Sequence, residues 1–541
     1  MKKIFINVCA LLTCVVSVHA QETYENTRLV DNDLNGTARY VGMGGAMEAL
    51  GADISTMGTN PAGIGLFRRS VASASFGLVT QDQASDFKYG DKTKMSFDQA
   101  GFVYAYAMRS GRRSFMNIGF NYHKSKNFNY ILSTADHLSG ASQNKLSFIK
   151  ALGDVDRTGV TEVNINESSG AYRGTNYFTS QLDNLYYNAL MMTNGNLYYN
   201  DASSYIFDRA NTGYIGEYDF NVSGNINDRV YLGLTAGIHD VHYKGQSLYS
   251  EQLLNAADHA IGDVTVSDER RITGVGYSVS AGVIFRPVEA SPFRIGLYVT
   301  SPTWYDLTTR NYTYLINNSQ VEGANPRYYA NESYDYKVYT PWKFGVSLGH
   351  TVDNFLALGA TYEYADYGSL DSRVNDGSYV DYFGDIYDQS HSDDNMNRHT
   401  KATLKGVSTL KVGAEVKLPA NFTLRAGYNY VSPMFRADGY KDGSLDSYGS
   451  NYSSATDYTN WKETNRYTFG LGYTVDKFSF DFAFQHSQTD GDFHPFMDSY
   501  ADYFVKNDAG VVQKMSIDNY AKGVKVSNKR NQLLLTMTYR F

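Results

Sequence analysis

The segment that ends the chain, residues 533–541, alternates between two kinds of side chain. Leu533, Leu535, Met537, Tyr539 and Phe541 fall on one face, and Leu534, Thr536, Thr538 and Arg540 fall on the other. Only Leu534 departs from the polar character of its face. Because successive strand residues point to opposite sides, the segment is typical of a β-strand with lipid on one side and water on the other.

This alternation recurs through most of the chain and predicts fourteen strands. In the clearest strand, Phe478, Phe480, Phe482 and Phe484 alternate with Ser479, Asp481, Ala483 and Gln485. The predicted strands span 69–80, 100–109, 114–123, 214–225, 229–243, 271–286, 292–301, 333–350, 354–366, 403–417, 421–431, 465–475, 477–487 and 531–541. The pattern indicates an all-β protein, a 14-stranded antiparallel transmembrane β-barrel occupying residues 69–541.

The connections between these strands alternate between short and long. The short ones are Ser110–Arg113, Ile226–Asp228, Pro287–Ser291, Thr351–Asp353, Leu418–Ala420 and Asp476. The long ones span 81–99, 124–213, 244–270, 302–332, 367–402, 432–464 and 488–530. Outer-membrane barrels have short periplasmic turns and long extracellular loops, so this alternation favours a barrel over a soluble β-sandwich.

The longest loop contains apolar residues at helical spacing. These residues are Phe178, Leu182, Leu185, Tyr186, Ala189 and Leu190. They predict a short helix, which either packs over the mouth of the barrel or folds on its own loop.

The first twenty residues have the features of a secretory signal peptide. Lys2 and Lys3 precede an apolar stretch, and Val18-His19-Ala20 forms a cleavage site before Gln21. Both cysteines, Cys9 and Cys14, lie inside this segment, so the mature chain is expected to lack disulfides and thiolate chemistry. A mean hydropathy of −0.40 agrees with a barrel as well as with a soluble protein, because only alternate strand residues face lipid.

The sequence gives little indication of catalysis, of a cofactor or of a metal. No serine elbow, P-loop or HExxH motif is present. His239 and His242 are three apart on a predicted strand and face opposite sides, so they cannot chelate one ion. The formal net charge of −8 does not suggest a nucleic-acid partner. We therefore expect a non-enzymatic protein without cofactors.

Residues 21–68, before the first strand, do not alternate and contain a glycine-rich motif. The motif comprises Gly42, Met43, Gly44, Gly45 and Ala46, followed by Asp53 and then by Asn60, Pro61, Ala62 and Gly63. It resembles the N-terminal hatch of the FadL-like family of outer-membrane transport proteins, which carry long-chain fatty acids or toluene-type compounds. The resemblance implies a fourteen-stranded barrel with a short plug in its lumen, and the terminal Phe541 as a signal for the barrel-assembly machinery.

The resemblance also suggests residues that contact a hydrophobic ligand. They are the hatch residues Met43, Met47, Leu50, Ile54, Met57 and Phe67, and the wall residues Val103, Tyr231, Tyr298 and Phe355, which we expect to face inward. Family members open a lateral gate through a kink in the third strand. Asn117, Gly119 and Asn121 are the corresponding candidates here, although Gly119 could instead relieve crowding in the lumen.

These observations predict a passive channel for hydrophobic compounds in the outer membrane of a Gram-negative bacterium. Its expected partners are membrane lipid and hydrophobic small molecules, and it is expected to act as a monomer. Two alternatives remain open at this stage: a receptor that binds haem or another nutrient, and a surface adhesin with a closed lumen.

Overall fold

The computed structural model describes residues 22–541, except 83, 85–86, 109–113, 164–177, 194–195, 322–324, 354, 381, 383–385 and 508. The predicted signal peptide, residues 1–20 with Cys9 and Cys14, lies outside the described residues. So does the whole of the predicted turn Ser110–Arg113. Among the described residues, no helix combines the length and the apolar character needed to cross a bilayer.

Fourteen antiparallel strands form a closed barrel. They are β1 (Val71–Asp82), β2 (Thr93–Ala107), β3 (Phe115–Asn127), β4 (Ala202–Ile226), β5 (Val230–Leu254), β6 (Ala260–Phe285), β7 (Arg294–Thr300 and Trp304–Asn317), β8 (Arg327–Tyr339 and Lys343–Val352), β9 (Leu356–Asp366), β10 (Gly406–Lys417), β11 (Phe422–Val431), β12 (Tyr458–Val475), β13 (Phe478–His494) and β14 (Val524–Arg540). Each pairs with the next, and β1 pairs with β14 from Val71 opposite Arg540 to Asp82 opposite Lys529. The predicted fold class is confirmed, and each of the fourteen predicted strands is present. The strand predicted over 333–350 is interrupted at 340–342, and the predicted loop 302–332 is largely strand.

The outer surface of the barrel carries an apolar belt. On β13, Phe480, Phe482 and Phe484 are exposed, whereas Ser479, Asp481 and Gln485 are buried on the inner face. Exposed apolar side chains recur around the wall, among them Phe76, Ile118, Leu234, Phe344, Leu410 and Leu535. A continuous belt of this kind is the surface that a bilayer covers in a transmembrane barrel.

Several strands extend well beyond this belt. The strand β5 has 25 residues, whereas crossing a bilayer takes about 9–11. Its outward side chains change from Leu232, Leu234 and Ile238 to Asp240 and Lys244, and its inward ones come to include the buried apolar residues Val241, Tyr243 and Leu253. The wall therefore reverses its polarity above the belt, with water outside and an apolar core within.

The connections divide into a turn end and a loop end, as predicted. In the part of the chain that the structure describes, the short turns lie at the turn end and the long connections lie at the loop end. The prediction of a loop over 244–270 is wrong, because β5 and β6 continue as a paired hairpin to residues 255–259. The strand Tyr130–Ala141 adds to β4 at the same end.

The remaining elements of the loop end are short. The helices are Gln143–Ala151, Gln181–Tyr186 continued by the wider turn Tyr187–Met191, Asp394–Thr403 and Tyr448–Asn451. The paired strands are Leu152–Val155 with Thr161–Val163, Met192–Thr193 with Asn196–Leu197, Asp371–Val380 with Ile386–Ser392, and Ser499–Lys506 with Val512–Asn519. Single 3-10 turns occupy Tyr367–Ser369 at this end and Pro419–Asn421 at the turn end.

The helix predicted in the longest loop is present as Gln181–Tyr186. Its side chains Leu182, Leu185 and Tyr186 are buried with inward residues of the extended strands. Just beyond the helix, the backbone oxygen of Ala189 accepts a hydrogen bond from Asn317 of β7 at 3.1 Å. Of the two arrangements left open by the sequence, the structure has the helix over the mouth.

Residues 22–68 enter the barrel from the loop end and leave it at the turn end. They form α1 (Thr23–Val30), α2 (Ala38–Gly42) and two 3-10 turns, Ile54–Gly58 and Pro61–Leu66. Most of their side chains are buried against the inner face of the wall. We call residues 34–68 the hatch and α1 the upper helix.

Candidate functional site

The hatch motif residues shape the backbone of the hatch. Gly44 and Gly45 have φ angles of 63° and 79°, which side chains with a Cβ rarely adopt. Asp53 caps one 3-10 turn by accepting from Ser55 N at 3.0 Å, and also accepts from the Thr37 hydroxyl. Asn60 caps the other, accepting from Ala62 N, so that the chain turns into β1.

Inward glycines of the wall allow the hatch backbone to touch the strands. A Cβ built on Gly359 of β9 would lie 1.9 Å from the backbone oxygen of Ala46. A Cβ on Gly413 of β10 would lie 2.2 Å from the backbone oxygen of Met43. These contacts are far shorter than any Cβ tolerates, so the glycines are needed for the hatch to seat.

A buried charge pair links the hatch to β10. The Glu48 carboxylate is fully buried and accepts from Lys411 Nζ at 2.8 Å. It also accepts from the hydroxyl groups of Thr361 at 2.7 Å and Tyr40 at 3.2 Å. Three donors compensate for the loss of hydration, which an unpaired buried carboxylate could not tolerate.

A second charge network holds α2 against β10, β11 and β13. The Arg39 guanidinium donates to both oxygens of Glu415, at 2.8 and 3.1 Å. Arg425 donates to Glu415 at 2.7 Å and to Asp481 at 2.7 Å. Any movement of the hatch must therefore break charge-assisted hydrogen bonds as well as apolar packing.

The upper helix sits among the loops at the other end of the lumen. The Tyr24 ring stacks on Phe435 at a centroid distance of 5.2 Å, and its hydroxyl donates to Asn460 at 2.8 Å. The Thr23 hydroxyl is 2.8 Å from that of Thr400 in the loop helix Asp394–Thr403. The lumen is thus bounded by the upper helix on one side and by the hatch on the other.

Between these two segments lies a cavity of about 360 Å³. Ten aromatic residues line it: Tyr24, Tyr40, Phe128, Tyr130, Tyr243, Tyr305, Tyr367, Phe435, Tyr458 and Trp461. Eight cationic residues, Arg28, Lys126, Arg209, Lys343, Lys411, Lys462, Arg466 and Arg530, face five carboxylates, Asp31, Asp33, Glu217, Glu363 and Asp457. The cavity therefore offers both apolar surface and an excess of positive charge, within the size range of ligand sites.

The ligand contacts predicted from the sequence do not line this cavity. Met43, Met47 and Leu50 pack together, and Ile54 and Met57 pack with Val103 and partly with Phe67. Tyr231 is buried with Ala62 and Ile284, and Tyr298 donates to Glu363 at 2.9 Å. The prediction that Phe355 faces inward is wrong, because it lies in a turn and is 49% exposed. Most of these residues therefore pack within the hatch or between the hatch and the wall, and ligand contact through them stays a prediction.

The structure has no break in the pairing of β3 at the candidate gate residues, and a lateral gate there stays a prediction. Asn117, Gly119 and Asn121 face inward, and β3 pairs without interruption to β2 and to β4 along this stretch. A Cβ on Gly119 would lie 2.2 Å from the Met57 methyl group, so this glycine accommodates the hatch. The wall is interrupted elsewhere, at 301–303 in β7 and 340–342 in β8.

No protein-family model and no curated protein sequence matches the chain. Among solved structures it is similar to a FadL homologue of Pseudomonas aeruginosa, at 12% identity over 95% of this chain and 100% of that chain, with a TM-score of 0.49. It is also similar to the toluene transporter TbuX of Ralstonia pickettii, at 14% identity over 94% and 99% of the two chains, TM-score 0.46. The toluene transporter TodX of Pseudomonas putida matches at 12% identity over 95% and 100%, TM-score 0.46.

One of these solved structures is a FadL homologue, and the hatch motif of this chain resembles the FadL-like family. The closed pairing of the chain's strands defines the fold as a 14-stranded antiparallel barrel.

Proposed function

We propose that this protein is a channel for the passive uptake of hydrophobic compounds, and that its ligands are amphiphiles such as long-chain fatty acids. The observation that carries the proposal is the lumenal cavity, which combines ten aromatic residues with eight cationic ones. Aromatic walls suit an acyl chain, and the cations suit an anionic head group. A toluene-type compound would use the apolar surface alone.

The two ends of the cavity suggest the order of events. Ligand would enter from the loop end beside the upper helix, where Tyr24 and Phe435 meet. The hatch fills the lumen at the turn end, so the ligand would leave only after the hatch moves. Lys411 connects the two, because it lines the cavity and binds Glu48 of the hatch. A head group that competes for Lys411 would weaken this contact and so favour release of the hatch.

Binding of a series of saturated fatty acids tests the proposal. Burial of apolar surface contributes about 0.8 kcal/mol per methylene, so each added methylene should tighten binding up to about fourfold. Calorimetry on the purified full chain, from eight to sixteen carbons, would measure this slope. The matching alcohols should bind more weakly, because they lack the charge-assisted hydrogen bonds of a carboxylate.

Two variants of β10 distinguish binding of the ligand in the cavity from partitioning of the ligand into the detergent that surrounds the barrel. Val407 is an inward, buried residue that lines the cavity, whereas Leu410 is 43% exposed on the outer face. Val407→Trp should fill the cavity and abolish the dependence on chain length, and Leu410→Trp should leave it unchanged. An equal slope in both variants would contradict the proposal, and saturable haemin binding lost in Val407→Trp would favour a haem receptor instead.

A further inference from the structure

Three side chains that bind metals in many proteins form one row across adjacent strands. His123 of β3 is opposite Glu217 of β4, and Glu217 is opposite His239 of β5. All three face the lumen, and Asp219 occupies the next inward position on β4. The sequence spacing within a single strand does not indicate this row, because its members come from three different strands.

The distances within this cluster suit a single small cation. His123 Nε2 is 3.7 Å and His239 Nδ1 is 3.6 Å from Glu217 Oε2, and His123 Nδ1 is 3.5 Å from Asp219 Oδ2. One ligand atom from each of His123, Glu217 and Asp219 can be chosen so that all lie within 4.8 Å of one another. Ligand atoms in a tetrahedral zinc site are separated by about 3.3–3.6 Å, so small side-chain movements would complete the geometry.

The cluster also contains buried polar atoms whose hydrogen-bonding capacity is unused. Asp219 is 1% exposed, and its carboxylate oxygens have no hydrogen bond of good geometry to any residue that the structure describes, with Asn121, Glu217 and, at 3.5 Å, His123 as their polar neighbours. Nδ1 of His239, which is 5% exposed, likewise has no hydrogen bond of good geometry to the described residues, while its Nε2 is 2.9 Å from the Ser278 hydroxyl. Two neighbouring buried carboxylates repel each other, and a divalent cation would remove both the repulsion and the unmet bonding.

The hatch closes over this cluster. A Cβ built on Gly58 would lie 3.3 Å from Glu217 Oε1 and 3.4 Å from Asp219 Oδ2. His123, Glu217, His239 and Gly58 also line the cavity, which gives a cation access to the cluster. Lys343 lines the same cavity and opposes a cation, but it carries one positive charge against two carboxylates.

We propose that His123, Glu217, Asp219 and His239 form a binding site for a divalent transition-metal ion of the zinc type. Nitrogen and carboxylate ligands in a compact set are those that zinc prefers. Ser278 would orient His239 as an outer hydrogen-bond partner. The ion would link three wall strands at the place where the hatch turn Ile54–Gly58 touches them.

Metal binding by the full-length protein in detergent tests this site. After treatment with a chelator and dialysis, the protein should bind one equivalent of Zn²⁺, measured by elemental analysis and by calorimetry. With Co²⁺ in place of Zn²⁺ it should give the visible absorption bands of a low-symmetry nitrogen and oxygen site. His123→Ala and Asp219→Asn should each weaken binding at least about tenfold.

His242→Ala is the matched control, because His242 lies on β5 beside His239 but is exposed on the outer face. It should bind Zn²⁺ as the unchanged protein does. Folding of each variant is checked by the shift in gel mobility that heating causes in intact barrels. No bound metal in the unchanged protein, or equal loss in His242→Ala, would overturn the proposal. Because the readout is metal content, its failure would leave the uptake proposal standing.

Discussion

Leu534 illustrates how a single residue on the inner face reports on the hatch. It is the one apolar residue among the polar inward positions at the end of β14, and the sequence alone offers no reason for it. In the structure it is 1% exposed and packs against Ala38 and Val41 of α2. The exception to the pattern thus marks a contact with the hatch, which alternation along one strand cannot reveal.

Substitution of Gly359 should displace the hatch. The carbonyl of Ala46 occupies the space of a Cβ at this position, so Gly359→Val forces the two backbones apart. Overpacking of this kind costs about 1–3 kcal/mol. We expect a lower free energy of unfolding in urea and a higher ion conductance in planar bilayers.

The neighbouring Ala360→Val is the control for this substitution. Ala360 follows Gly359 on β9 and points outward, so its enlargement should change neither the conductance nor the stability by more than about 0.5 kcal/mol. Equal conductance in Gly359→Val and the unchanged protein would contradict the tight seating of the hatch.

At the scale of elements, β7 and β8 are interrupted side by side. Pro302 and Pro341 lack the backbone N–H that a strand ladder needs. Side chains replace part of the ladder, since Thr340 Oγ1 accepts from Thr303 N at 2.8 Å and Ser301 Oγ accepts from Val279 N at 2.9 Å. The sequence predicted one strand over 333–350, because the apolar pattern continues on both sides of the proline.

Hydrogen exchange should be faster at this interruption than at β3. Amides of residues 299–304 and 338–343 have fewer backbone partners than those of 117–121, which are paired on both sides. Local opening should therefore cost less free energy at the interruption. Exchange followed by mass spectrometry on peptides from the two regions measures the difference. Equal protection would show that the side-chain hydrogen bonds make good the missing ladder.

At the scale of the molecule, the membrane-spanning wall could be predicted and the upper wall could not. The prediction worked where outward apolar residues such as Leu234 and Phe482 meet lipid. It failed above the belt, where outward residues such as Lys244 resemble those of a loop while the strand continues. The cavity lies largely at this level, so Tyr243 and Tyr305, which line it, were missed. The sequence signal that could have indicated these upper strand segments is the recurrence of apolar residues at alternate, inward positions.

Lysine substitutions on the outer face should locate the bilayer. Leu234 is 55% exposed within the apolar belt of β5, so Leu234→Lys should reduce the free energy of unfolding by about 2–4 kcal/mol. Ser267 points outward on β6 above the belt, where Ser267→Lys should cost nearly nothing. Urea unfolding in lipid vesicles provides the comparison. Similar losses for both variants would show that lipid also covers the upper wall.

The reversal of polarity along β5 and β6 has a consequence for tolerance to insertions. The alternation of inward and outward residues continues without a break along β5. Leu234 faces outward to lipid within the apolar belt, and Val241 faces inward to the buried interior nearer the loop end. A single inserted residue beneath both positions would turn the two halves inside out together. Leu234 would then leave the lipid-facing surface, Asp240 and Lys244 would face the buried interior, and Val241 would face water. Long strands of this design should accumulate amino-acid exchanges readily but almost never gain or lose one residue.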